Sequence, residues 1–149
     1  MNLIRTTSDN SDFQNLVIQL DAYLKILDGE DHEFYANFNK TSGLKHVVVC
    51  YENGIAIGCG AFKEYETEIA EIKRMFTLPE HRGKGIAKAI LSELENWAKE
   101  IKYSFSILET GYLQVDAIHL YTKLGYEVIE NFGQYIGVEN SVCMKKMLK

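Results

Sequence analysis

The chain has 149 residues, of which 46% are hydrophobic, 25% charged and 11% aromatic; this excludes disorder and collagen-like repeats and predicts one domain over residues 1–149. Sixteen basic against 21 acidic residues give a net charge of -5, which argues against general nucleic-acid binding and leaves room only for a local basic patch. No apolar run reaches the roughly 18 residues that span a bilayer, and Met1 to Asp12 lacks the apolar stretch of a secretory signal, so no membrane association and a cytoplasmic location are expected.

Asn2 to Thr6 reads as an edge strand. Ser8, Asp9 and Ser11 offer N-cap oxygens to a helix whose apolar face is Phe13, Leu16, Val17, Leu20, Leu24 and Leu27, ended by Asp28-Gly29. Glu30 to Lys40, with Phe34, Tyr35 and Phe38, suits a second short helix or an ordered loop. His46 to Tyr51 and Ile55 to Phe62 flank Asn53-Gly54, two residues that tolerate positive φ, and predict a hairpin. A tight connection over Glu64 to Thr67 leads to a third strand, Glu68 to Thr77, and completes an antiparallel meander. Leu78 to Gly85 is expected to be irregular. Ile86, Ile90, Leu94, Trp97 and Ile101 then form one face of a long amphipathic helix. Tyr103 to Leu108 reads as a strand, and Val115, Ile118, Tyr121 and Leu124 as a helix closed by Gly125. Tyr126 to Ile129 and Ser141 to Leu148 are the last strands. The fold class expected is α/β, a mixed and mostly antiparallel central sheet with helices on both faces. At its centre is a strand, glycine loop, helix, strand unit from Glu68 to Leu108.

The segment Arg82-Gly83-Lys84-Gly85-Ile86-Ala87 falls between a strand end and a helix start. The first N–H groups of a helix have no internal partner, and the helix dipole adds roughly half a positive charge there. Gly83 and Gly85 remove side chains that would hold a ligand off the backbone, and Ala87 keeps the first turn slim. The segment is an anion cradle suited to a diphosphate, or else a tight turn whose glycines supply positive φ. Local charge favours the anion: from Lys73 to Lys88 the basic residues Lys73, Arg74, Arg82, Lys84 and Lys88 meet only Glu80. Two nucleotide readings fail on spacing. A Walker A loop needs four residues between its first glycine and its Gly-Lys-Ser/Thr, and a dinucleotide fingerprint needs a small residue where Lys88 stands.

Arg82-x-x-Gly85-x-Ala87 resembles the acyl-CoA pyrophosphate motif Q/R-x-x-G-x-G/A of the GNAT superfamily of N-acetyltransferases. Glu71-Ile72-Lys73-Arg74-Met75-Phe76 resembles that family's central strand. Ala117-Ile118-His119-Leu120-Tyr121-Thr122-Lys123-Leu124-Gly125-Tyr126 resembles its later A-x-x-L-Y-x-K-x-G-Y segment. The resemblance covers His46 to Leu148 and is poor before that. It implies a sheet whose two central strands, here Glu68–Thr77 and Tyr103–Leu108, splay apart and admit the pantetheine arm of acetyl-CoA. As co-substrate, acetyl-CoA would lie along the backbone of Met75, Phe76 and Thr77, with its pyrophosphate on Arg82, Gly83, Lys84, Gly85, Ile86 and Ala87. The Met75 N–H would stand near the thioester oxygen, a placement typically worth about 3 kcal/mol.

The resemblance also implies catalytic roles. Glu71 takes the place of the general base, needed because an alkylammonium with a pKa of roughly 10 must lose a proton before it attacks. Strict strand alternation would put Glu71, Lys73 and Met75 on one face and Ile72, Arg74 and Phe76 on the other. The competing reading makes Glu71 a cross-strand ion-pair partner of a lysine; Glu68 and Glu109 are reserve carboxylates. Tyr121 takes the place of the general acid for the leaving thiolate, against simple helix packing beside Ile118 and Leu124, and Tyr126 is expected in the core. Direct transfer in a ternary complex is expected, without an acyl-enzyme. Cys50, Cys59 and Cys143 are odd in number, lack metal-ligand spacing and are expected to be buried reduced thiols, and His32, His46, His81 and His119 share no such spacing, so no metal is expected.

The acceptor would be a small amine or a peptide amine, entering opposite acetyl-CoA beside residues 24 to 40 and Phe132-Gly133-Gln134-Tyr135. Asp28, Glu30, Asp31 and Glu33, with Phe34, Tyr35 and Phe38, would suit a cationic amine or simply form a solvated acidic loop. A non-catalytic acyl-CoA sensor or assembly module of the same fold is the alternative. The edge of Ser141–Leu148 is a candidate homodimer contact.

Overall fold

The two β-branched runs around Asn53-Gly54 pair as an antiparallel hairpin, β2 (His46–Glu52) with β3 (Ile55–Glu66), and the turn residues take φ values of 53° and 78°. The computed structural model describes residues 1–29 and 41–148. β1 (Asn2–Thr6) pairs antiparallel with β2, and β4 (Ile69–Thr77) antiparallel with β3. Next to β4 lies β5 (Phe105–Gly111), parallel to it, then β7 (Ser141–Met147) and finally β6 (Glu127–Ile129). The sheet order is therefore β1-β2-β3-β4-β5-β7-β6, mixed and mostly antiparallel as expected, with β4–β5 the parallel pair among the described residues.

Three helices pack on it among the described residues: α1 (Ser11–Asp28), α2 (Ile86–Glu100) and α3 (Val115–Lys123). Alternation in β2 divides the core. Val47 and Val49 join Phe13, Leu16, Val17 and Leu20 of α1 on one face, with Cys59, Ala61 and Phe76. Val48 faces the other way, into the cluster built by Ile86, Ile90, Leu91 and Leu94 of α2 with Tyr121 of α3. Arg5 on the edge strand β1 fastens to α2, donating to Glu93 and Glu100 at 2.7–2.8 Å and lying over the Trp97 ring.

Several boundaries differ from the sequence expectation, each for a local reason. The α1 cap is Asn10, whose side chain accepts from the Phe13 N–H at 2.9 Å, rather than Ser8, Asp9 or Ser11. β3 runs on to Glu66, so the turn to β4 is Thr67-Glu68, with Glu68 at φ 69°. Pro79–His81 makes one 3-10 turn inside the segment expected to be irregular. β5 starts at Phe105 because Tyr103 still closes α2, its N–H donating to the Ala98 carbonyl, and it continues to Gly111 rather than Leu108. β7 is an interior strand with β5 on one side and β6 on the other, which corrects its expectation as a dimer edge. The second short helix or loop expected over Glu30–Lys40 lies outside the described residues. No helix among the described residues is long and apolar enough to cross a membrane.

Leu94 is fully buried at the centre of the α2 cluster. Leu94→Ala should lower the unfolding free energy by about 3 kcal/mol in a urea titration. Ile26→Ala, at a position 83% exposed on α1, should change it by less than about 0.5 kcal/mol.

Candidate active-site cleft

β4 and β5 pair only where they begin: Ile69 with Phe105, Ala70 with Ser106 and Glu71 with Ile107. Beyond those rungs β4 stays paired to β3 as far as Thr77, and β5 to β7 as far as Gly111. Each strand keeps its outer partner while the inner pairing lapses, so the sheet opens into a cleft of about 700 Å³, counting the space open to solvent. The splay expected of the two central strands is present, between Ile69–Thr77 and Phe105–Gly111.

A bulge decides which side chains enter this cleft. Cys59 pairs with Phe76 and Ala61 with Lys73, so Arg74 and Met75 together face the single residue Gly60. Arg74 sits at φ 58°, in the left-handed region. The extra residue breaks the strict alternation. Ile72 and Met75 both pack into the α2 cluster, whereas Phe76 packs into the α1 cluster. Gly60 leaves the room Met75 needs, since a Cβ there would run into the Met75 sulfur. The expectation that Glu71 and Met75 point the same way, with Ile72, Arg74 and Phe76 opposite, is therefore corrected: Ile72 and Met75 share the α2 side, and Arg74 reaches α1 through Asp21.

Glu71 lines the cleft, 3% exposed, with the Lys73 ammonium 3.3 Å from its Oε2. The lysine that meets it is thus on its own strand, and the cross-strand neighbour in register is Lys63. Of the two reserve carboxylates, Glu109 lines the cleft, while Glu68 sits at the β3–β4 turn and accepts from the Ser104 hydroxyl at 3.0 Å. Tyr121 enters from α3, buried in the α2 cluster, and burial holds its phenol well above the usual range, so it stays protonated. Tyr126 lies 5.8 Å from it, ring to ring, and is core: its hydroxyl donates to Glu95 at 2.8 Å and accepts from the Ser106 hydroxyl at 2.7 Å. Tyr135, in the segment expected to bound the acceptor, closes the cleft wall. Leu20 and Leu24 of α1 and Gln114 also border the cleft. The sequence reading singled out neither Lys73 nor Arg74 for the cleft. The available signal was two cations on a strand bordered by Ile72 and Phe76, where charge is expensive.

The glycine loop lies at the end of β4. Gly83 and Gly85 have φ 78° and 80°, and a Cβ at either would meet nothing within 4 Å. The glycines thus supply positive φ and leave the backbone open. Gly85 caps α2, and among the described residues no side chain caps its first turn. Arg82 turns back instead of reaching outward. Its Nε donates to the Thr77 carbonyl at 3.1 Å, and its guanidinium lies 5.1 Å from the Tyr23 ring and 5.8 Å from that of Phe76. The acidic and aromatic wall expected near residues 28 to 38 lies outside the described residues and side chains. Among the described residues no group of three or more His, Cys, Asp or Glu could hold a metal.

Residues 15–126 match the acetyltransferase (GNAT) family, and the chain belongs to that family. The uncharacterised N-acetyltransferase YsnE of Bacillus subtilis is 38% identical over 100 residues, 66% of each chain. The IAA acetyltransferase of Azospirillum brasilense is 36% identical over 102 residues, 68% of this chain and 67% of that one. The alignments thus span about two thirds of these relatives' length. A solved structure of a candidate acyl-CoA N-acyltransferase from Klebsiella pneumoniae superposes with a TM-score of 0.85 at 30% identity, over 99% of this chain and 97% of that one. A GNAT family acetyltransferase from Elizabethkingia anophelis, solved with acetyl-CoA bound, shares the fold at a TM-score of 0.71 and 19% identity, over 98% and 97% of the two chains.

Cys50, Cys59 and Cys143 are free and buried, as expected. Burial raises all three thiols, Cys59 to about 12 and Cys143 to about 11, which removes the thiolate a nucleophile needs. The native protein at pH 8 should resist iodoacetamide at all three sites and react fully once unfolded, read by mass spectrometry. Because the folded thiols ionise later than the unfolded ones, their contribution to stability is complete below pH 9, the ordinary thiol value, and declines as pH rises toward 12.

Proposed function

We propose that the chain transfers the acetyl group of acetyl-CoA to a primary amine by direct attack in a ternary complex. The observation that carries this reading is the lapse of β4–β5 pairing after Glu71 and Ile107, set beside an open glycine loop at the start of α2. A chain that presents free backbone at a sheet opening and free N–H groups at a helix start suits an extended arm ending in a diphosphate. Family membership supports the same donor.

In this reading Met75, Phe76 and Thr77 border the pantetheine arm, and Arg82, Gly83, Lys84, Gly85, Ile86 and Ala87 hold the pyrophosphate. Acetyl-CoA, when bound, supplies an activated thioester. The Met75 N–H donates to its carbonyl oxygen and favours the charge that builds there on attack. Glu71 accepts the ammonium proton of the acceptor, directly or through water, with the Lys73 ammonium 3.3 Å from its Oε2. Tyr121, kept protonated by its burial, donates to the departing thiolate. The bulge suits this division of labour, since it turns Met75 to the α2 side while Arg74 stays on the α1 side.

Calorimetric titration with acetyl-CoA and with ATP, followed by a thiol-release assay across an amine panel, tests the proposal. Binding of ATP without acetyl-CoA would remove it, and binding of acetyl-CoA with no thiol released would favour the non-catalytic module. Gly85→Glu should abolish acetyl-CoA binding, because it adds bulk and negative charge in the cradle. Gly85→Ala bears the same left-handed strain, roughly 1–2 kcal/mol, and should keep measurable binding. Tyr121→Phe should lower kcat by about 10²-fold with little change in acetyl-CoA affinity; equal rates would take Tyr121 out of the acid role.

A further inference from the structure

We propose that the acceptor is an amine that also carries a carboxylate, and that Arg74 binds this carboxylate on the α1 side of the cleft. The inference rests on the transferase reading above and names the substrate class that the described walls favour.

Arg74 borders the cleft, yet its side chain is only 2% exposed. One guanidinium nitrogen donates to Asp21, a residue of α1 whose own side chain is 54% exposed. The Nε is buried and has no acceptor. The ion pair with a half-exposed aspartate still leaves a buried guanidinium donor unsatisfied, which costs free energy unless a partner meets it. The backbone tells the same way. Arg74 occupies the left-handed region at the bulge, an arrangement that costs any residue with a Cβ and that persists where the surroundings hold it in place. The conformation stations a planar donor group, suited to a carboxylate, beside the opening of the sheet.

The other charges of the cleft complete the match. Glu71 and Glu109 stand with Lys73 and Arg74, two anions and two cations among the described lining residues. A zwitterion suits that set. Its ammonium faces the carboxylates, where it must lose a proton, and its carboxylate meets Arg74. A diamine would bring a second positive charge against Arg74, and a simple monoamine would leave the Nε unsatisfied.

Thiol release from acetyl-CoA should be measured with pairs that differ only in the carboxylate: alanine with ethylamine, phenylalanine with phenethylamine, lysine with cadaverine. For the reactive pair, kcat/KM should be about 10- to 100-fold higher for the acid-bearing member, the worth of one charge-assisted hydrogen bond, and the difference should lie in KM. Arg74→Gln should erase that preference while leaving acetyl-CoA affinity, read by calorimetry, unchanged. Equal rates within pairs, faster turnover of the carboxylate-free amines, or a preference that survives in Arg74→Gln would overturn the inference and leave the transferase reading standing. Thiol release with no amine at all would overturn both. The wild-type comparison decides the matter even if Arg74→Gln does not fold.

Discussion

The structure turns on a competition for hydrogen-bonding partners along one strand. β4 has two neighbours, and past Glu71 it satisfies only one of them. A strand in the middle of a sheet is the place where unpaired backbone is least tolerated, because its N–H and C=O groups need water or a ligand if no strand supplies them. The opening is therefore a demand as well as a space. It places polar main chain, two acidic and two basic side chains and a protonated tyrosine around one solvent-reaching volume.

The bulge at Arg74 and Met75 is the second constraint, and it depends on Gly60 opposite. One extra residue rephases the strand just where the opening begins. Without it, Met75 and Phe76 would exchange sides, the packing of α2 against β4 would lose its sulfur contact, and Arg74 would face α2 instead of Asp21. A local backbone irregularity thus fixes the polarity of both walls.

Much of the fold was legible from residue order. The Asn53-Gly54 turn, the apolar stripe of α2 as far as Trp97 and the helix closed by Gly125 depend on neighbours close in sequence and formed as read, while Ile101 falls past the helix end and is exposed. The glycine loop was legible for the same reason, since a helix start and two glycines are local features. What sequence could not supply was long-range. Nothing near Ser141 says that it will be enclosed by β5 and β6. Nothing near Arg74 says that Gly60, fourteen residues earlier by numbering, will pair so as to leave an extra residue. Alternation assumes an unbroken ladder, so Glu71 and Met75 were assigned to one face, and the cations at 73 and 74 were counted toward the loop instead of the cleft.

Helix α1 touches both ends of this arrangement. Asp21 grips Arg74 at the bulge, and Tyr23, two residues on, lies against Arg82 at the head of the glycine loop. The bulge and the glycine loop thus share one footing, a three-residue stretch of a single helix.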